Sequence, residues 1–124
     1  MPLPVATPDA PAAIGPYSQA VKSGPFVFVS GQLPLDPATG EMPSDVKAQV
    51  ARSLGNIKNI LESAGSGLAK VVRVGIFLTD LKDFQAANEV YGEYFKEPYP
   101  ARVTVEVSAL PRGAKVEIDA VAEI

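Results

Sequence analysis

Between Ser44 and Ala64 the apolar side chains fall on one stripe. Val46, Val50, Leu54, Ile57, Leu61 and Ala64 recur at spacings of four and three, the mark of a helix with a single face to bury. The spacing predicts a helix from about Ser44 to Ala64. Asp45 sits in its first turn, where a carboxylate favours the helix dipole. Gly65 sits at the left-handed position that ends it. A long helix with one apolar face requires a second layer to cover that face, and the neighbouring runs supply it. Phe26-Val27-Phe28-Val29-Ser30 is continuously β-prone and reads as a strand buried on both faces; Val71 to Leu78 is a second β-rich run. It leads to Asp80, a good N-cap. Phe84, Ala87, Tyr91, Tyr94 and Phe95 mark the inner face of a second helix, which stops before Pro98.

Two further strands follow: Arg102 to Val107, and Lys115 to Ile124 for most of its length. Tyr17 to Lys22 reads as a short strand and Ser23 to Pro25 as a turn. The Gly- and Pro-rich stretch from Gly31 to Glu41 reads as a loop around a brief strand. Residues 1 to 15, rich in Pro and Ala, read as extended or loosely attached. The order β-β-β-α-β-α-β-β predicts an α+β two-layer sandwich, a mixed sheet of about six strands backed by two helices. We find no repeat, linker or internal boundary, so residues 1–124 read as one domain.

Composition narrows the chemistry. The 124 residues contain no cysteine and no histidine. Disulfides and thiolates are excluded. So are the usual general base, zinc ligand and triad member; proton transfer falls to Glu, Asp, Tyr, Lys, water or backbone. The net charge of −3, with scattered Lys and Arg, lacks the basic stripe of a nucleic-acid binder. No apolar run is long enough to span a bilayer, and the N-terminus lacks the pattern of a secretory signal. A cytoplasmic protein fits these features. Three segments are decoys. Ala64 to Lys70 is glycine-rich but lacks Walker A spacing. Glu62, Asp80 and Asp83 lack calcium-ligand spacing. Tyr91, Tyr94 and Phe95 read as packing, not as a base-stacking platform.

Alternation sorts the last two strands. Val103, Val105 and Val107 share one face; Arg102, Thr104 and Glu106 share the other. Val116, Ile118, Ala120, Ala122 and Ile124 oppose Lys115, Glu117, Asp119, Val121 and Glu123. If the apolar sets face the helices and the two strands pair antiparallel through Ser108 to Ala114, the polar sets lie together on the uncovered face. That is either a solvated sheet face, whose ion pairs contribute little, or a cleft. In a cleft Arg102 would take a planar anion through two parallel hydrogen bonds, and Glu117 would handle protons.

Several stretches in order make the sequence resemble the RidA (YjgF-type) family of enamine/imine deaminases. They are Ile14 to Val21 (IGPYSQAV), Val29 to Glu41 (VSGQLPLDPATGE), Ser53 to Gly65 (SLGNIKNILESAG), Phe84 to Phe95 (FQAANEVYGEYF), PARVTVEV and Ala109 to Ala122 (ALPRGAKVEIDAVA). The resemblance implies a sheet like that of the small trimeric chorismate mutases. It also implies a homotrimer whose sheets form a central barrel, with active sites between subunits. The implied activity is hydrolysis of reactive 2-enamine and 2-imino acids, such as 2-aminoacrylate and 2-iminobutanoate, to 2-oxo acids and ammonia. This protects pyridoxal-phosphate enzymes and needs no metal and no cofactor.

By position, Arg102 matches the arginine that grips the substrate carboxylate, and Glu117 the glutamate that activates water and relays protons. Tyr17, Ser30, Gly31 and Asn88 match residues that line or support the pocket. Thr104 stands where many relatives carry cysteine; the role there falls mainly to the backbone carbonyl. The Lys96 to Arg102 segment is shorter than in some relatives. A non-catalytic reading stays open beside this one: the same interfacial pocket as a small-carboxylate sensor or chaperone-like trimer.

Overall fold

The computed structural model describes residues 1–124. The strands are β1 (Leu3–Val5), β2 (Ala20–Ser23), β3 (Phe26–Gln32), β4 (Val71–Leu78), β5 (Ala101–Glu106) and β6 (Val116–Glu123). The helices are α1 (Val46–Ser63), between β3 and β4, and α2 (Phe84–Tyr94), between β4 and β5. All six strands form one sheet in the order β1-β2-β3-β6-β4-β5. Only β4 and β5 are parallel neighbours. α1 lies against β3, β6 and α2, so the chain is the α+β sandwich that the periodicity predicts. No helix is long and apolar enough to cross a membrane.

The α1 stripe makes the core. Val50, Leu54, Ile57, Ile60 and Leu61 are buried against Val27, Val29, Val74, Ile76, Val116 and Ile118. Each such side chain contributes about 1.5–3 kcal/mol when removed from water. Asp45 is the N-cap itself, just outside the helix: its carboxylate accepts from the Ala48 amide at 3.1 Å. Gly65 takes φ 82° past the end of the helix, as expected. Asp80 caps a short 3₁₀ turn, Leu81–Asp83, which runs into α2.

Four expectations need correction. No strand forms between Leu33 and Glu41; the remaining strand is β1, at the terminus read as loose. It pairs with β2 through Leu3–Lys22 and Val5–Ala20. Its Pro4 is tolerated because an edge strand leaves one side of its backbone unpaired. The Gln19 side chain ties the following segment down, donating to the Ala10 and Pro11 carbonyls and accepting from the Thr7 amide. Second, β3 is covered on one face only: Val27 and Val29 are buried, whereas Phe28 is 44% exposed.

Third, β5 and β6 do not pair. β4 lies between them, antiparallel to β6 and parallel to β5. Fourth, the faces of β5 are inverted. Its register sets Arg102 beside Val74, Thr104 beside Ile76 and Glu106 beside Leu78. Those three β4 residues point into the core, so Arg102, Thr104 and Glu106 point to the helix side. Glu106 confirms the direction by accepting from the Leu81 amide at 2.9 Å, at the approach to α2. Val103 and Val105 face the other way and remain 41% and 38% exposed. β5 is the edge strand, where a cation on the helix side still reaches water.

Candidate active site

Glu117 stands on the open face of β6, opposite Phe77 of β4. An irregularity between Val29 and Gln32 brings Gly31 of β3 beside it. A Cβ at Gly31 would lie 2.9 Å from the Glu117 carboxyl carbon, so the carboxyl packs on a bare backbone that only glycine provides. Ser30 ties this strand end to the preceding segment: its hydroxyl donates to the Ser18 carbonyl at 2.6 Å and its amide to the Gln19 carbonyl at 2.9 Å. Tyr17 lies just before those two residues on that segment. Together they line a groove of about 590 Å³, with Ile14 and Arg112 at its sides. Burial pushes the Glu117 carboxyl above its ordinary range, and the Asp119 carboxylate on the same face adds to the rise. Asp119 fits over Gly75, where a Cβ would collide with its carboxylate. Arg73 Nη1 lies 3.7 Å away, an ion pair too long for a hydrogen bond.

A second groove, of about 310 Å³, opens on the helix side. Arg102 forms one wall; Asn88, Tyr91 and Gly92 of α2, with Tyr99 and Pro100, form the rest. The guanidinium carbon sits 4.8 Å from the Tyr91 ring centre and 5.7 Å from that of Phe84. The two ion pairs of the chain, Lys47–Glu89 and Arg73–Asp119, leave Arg102 out. Thr104 lies two residues along the same face, outside the groove lining, and its hydroxyl is buried without a partner.

The sequence-derived residues therefore fall into two groups. Tyr17, Ser30 and Gly31 join Glu117; Asn88 joins Arg102, with Thr104 below. The two groups do not meet. Arg102 and Glu117 lie on opposite faces, two strands apart. With strands about 4.8 Å apart and residues about 3.3 Å apart along each, their Cα atoms are roughly 14 Å from one another. Sequence reasoning missed Arg112, whose φ of 61° is the one left-handed non-glycine conformation in the chain. It missed Phe84 and Tyr91 as neighbours of Arg102, although their spacing along α2 was visible.

The family model described as Endoribonuclease L-PSP matches residues 7–124. The chain belongs to the RidA (YjgF-type) family. The RidA fold is equally clear in solved structures. RidA from the Antarctic bacterium Psychrobacter superposes with a TM-score of 0.94 at 50% identity, over 97% of this chain and 98% of that one. TdcF of Escherichia coli, solved with bound serine, gives 0.93 at 45% identity, over 98% of both chains. A 2-iminobutanoate/2-iminopropanoate deaminase of Escherichia coli is 47% identical over 121 residues, 95% of this chain and 94% of that protein. This RidA-family chain thus has relatives named for a deaminase and a family model named for an endoribonuclease.

Proposed function

We propose that this protein hydrolyses 2-enamine and 2-imino acids to 2-oxo acids and ammonia at sites shared between copies of the chain. The observation that carries the reading is the division of the candidate residues. A desolvated carboxyl stands on the open sheet face, and an unpaired guanidinium stands on the helix side of the edge strand. Neither half holds both functions, and one small substrate cannot bridge them within a chain. A homotrimer that sets the Arg102 half of one copy against the Glu117 half of the next completes the site. It also covers Phe28, Val103 and Val105, apolar groups on the open face of the isolated chain.

Arg102 anchors the substrate carboxylate through paired hydrogen bonds. An enamine such as 2-aminoacrylate first tautomerises to its imine. Water held by Glu117 and the Thr104 carbonyl attacks the C=N carbon, and Glu117 takes the proton that the water releases. A base with a raised pKa accepts that proton more readily near neutrality. Glu117 passes that proton to nitrogen, which gives the carbinolamine; it then relays the hydroxyl proton to the amino group, the C–N bond breaks, and ammonia leaves as the C=O bond forms. The deaminase name of the relative 47% identical supports this chemistry. The endoribonuclease description has less support, since the chain has no histidine and carries a net charge of −3. We place the protein in the cytoplasm, protecting pyridoxal-phosphate enzymes from the reactive products of serine and threonine dehydratases.

The test generates 2-iminobutanoate with a threonine dehydratase and follows 2-oxobutanoate release. The wild-type chain accelerates release. Arg102→Ala loses about 10²–10⁴-fold in kcat/KM, the worth of a bidentate charged contact. Arg102→Ala and Glu117→Gln chains, unfolded and refolded together, recover about a quarter of wild-type activity, the random-mixing value for a site built from two copies. No recovery sinks the shared site. Binding of 2-oxobutanoate without acceleration turns the protein into a sensor.

A further inference from the structure

A carboxylate beside an arginine pairs with it through charge-assisted hydrogen bonds and so competes with an incoming carboxylate ligand. Arg102 is held differently. No acidic side chain pairs with it; two aromatic faces lie under it instead. We propose that Tyr91 and Phe84 are positioning residues, whose ring faces hold the Arg102 guanidinium so that it meets a carboxylate ligand without first losing a competing anion. This rests on the reading that Arg102 receives the carboxylate of the substrate.

The geometry is specific to the rings. Phe84, Asn88 and Tyr91 follow one another along α2 at spacings of four and three, so they form one stripe on the side of the helix that meets Arg102. Tyr91 is 6% exposed and is fixed from behind by Phe95, whose ring centre is 4.6 Å away. Its hydroxyl is buried and has no hydrogen-bond partner, so the face of the ring, not its polar tip, makes the contact with Arg102. Burial raises the phenol above its ordinary range, against the opposing pull of Arg102. The ring stays neutral, and its π face carries the negative side of the quadrupole toward the cation. All five guanidinium donors remain free for a ligand.

The full-length chain is compared as wild type, Tyr91→Leu, Tyr91→Phe and Phe84→Leu. Titration with 2-oxobutanoate reads affinity, and NMR reads the ring-current shifts of the Arg102 side chain. In Tyr91→Leu the affinity falls about 3- to 30-fold, the span of a desolvated cation–π contact. KM rises in parallel while kcat holds within about two-fold, and the shifted Arg102 resonances move toward ordinary values. Phe84→Leu shows a smaller loss of the same kind. Tyr91→Phe keeps the face and recovers the affinity. Unchanged affinity and unchanged Arg102 resonances in the folded Leu variants overturn the proposal. If Tyr91→Leu does not fold, Phe84→Leu decides, because Phe84 is 40% exposed and its replacement spares the core. A wild-type chain that binds 2-oxobutanoate through the rings but does not accelerate imine hydrolysis removes the deaminase and keeps the cradle. A wild-type chain that binds no 2-oxobutanoate removes the cradle.

Discussion

The two grooves treat charge in opposite ways. Around Glu117 the structure makes ionisation costly: the carboxyl is desolvated, pressed onto Gly31 and set near a second carboxylate. Around Arg102 the cation is left intact, with aromatic faces beneath it and no anion beside it. Their positions in the sheet explain the difference. β6 is a central strand, flanked by β3 and β4, so its side chains are crowded; β5 is the edge, so its helix side stays open to water. A central strand suits a proton-transfer group whose pKa must be displaced. An edge suits a binding group that must be reached.

The largest expected effect comes from abolishing the proton function. Glu117→Gln lowers kcat/KM by about 10²–10⁴-fold, the usual worth of a positioned general base, and removes any dependence of rate on Glu117 ionisation. Stability moves the other way. The folded pKa of Glu117 is raised, so as pH climbs through the ordinary carboxyl range the unfolded chain loses its proton first. Wild-type stability therefore falls in that window, and below it the group has no effect. In the Arg102→Ala background the Gln variant melts higher at about pH 7, and the gap closes toward about pH 3. In the wild-type background the gain shrinks if the neighbouring copy's guanidinium favours the ionised carboxylate. The difference between the two backgrounds is the coupling of the halves; a value of zero separates them.

Gly31→Ala asks whether the close approach matters. The added Cβ meets the Glu117 carboxyl at 2.9 Å. That group is the end of a flexible side chain, so it swings aside at little cost to folding. A misplacement of about 1 Å in a reacting group costs on the order of 10²-fold. The expected result is a loss of about 10- to 100-fold in kcat/KM with the melting temperature nearly unchanged. An unaltered rate shows that Glu117 needs no fixed seat.

Much of the fold was legible because periodicity reports it directly. The α1 stripe, the end at Gly65 and the β4 run all stand where the spacing of apolar residues puts them. Face assignment failed on β5 for a definite reason. Alternation says which residues travel together, not which set is covered; three valines pointing inward was the simpler reading, and the edge position reverses it. β1 was hidden because Pro4 weakens a strand signal and three residues carry little pattern. The candidate residues were legible as a list from the family pattern, but not as two groups. Their separation follows from β4 entering between β5 and β6, a long-range pairing with no local mark. The left-handed Arg112 has no local mark: it lies in a Pro-Arg-Gly loop beside Gly113, which also takes a positive φ, of 70°.

Thr104 gives the finest cut between the halves. It shares a face with Arg102, yet its hydroxyl is buried and makes no hydrogen bond. In the proposed site its backbone carbonyl, not its side chain, holds the water. Thr104→Val keeps the shape and the carbonyl and removes only the unpaired hydroxyl. Removing an unsatisfied buried hydroxyl is neutral or stabilising by up to about 1 kcal/mol, so the melting temperature holds or rises slightly. kcat/KM stays within about two-fold of wild type if no step uses the hydroxyl. A ten-fold loss, on the order of 1.4 kcal/mol, would mean that the hydroxyl turns toward the ligand once a second copy closes the site. The Arg102 half would then supply a hydrogen bond as well as a charge, and the contrast with the Glu117 half would narrow.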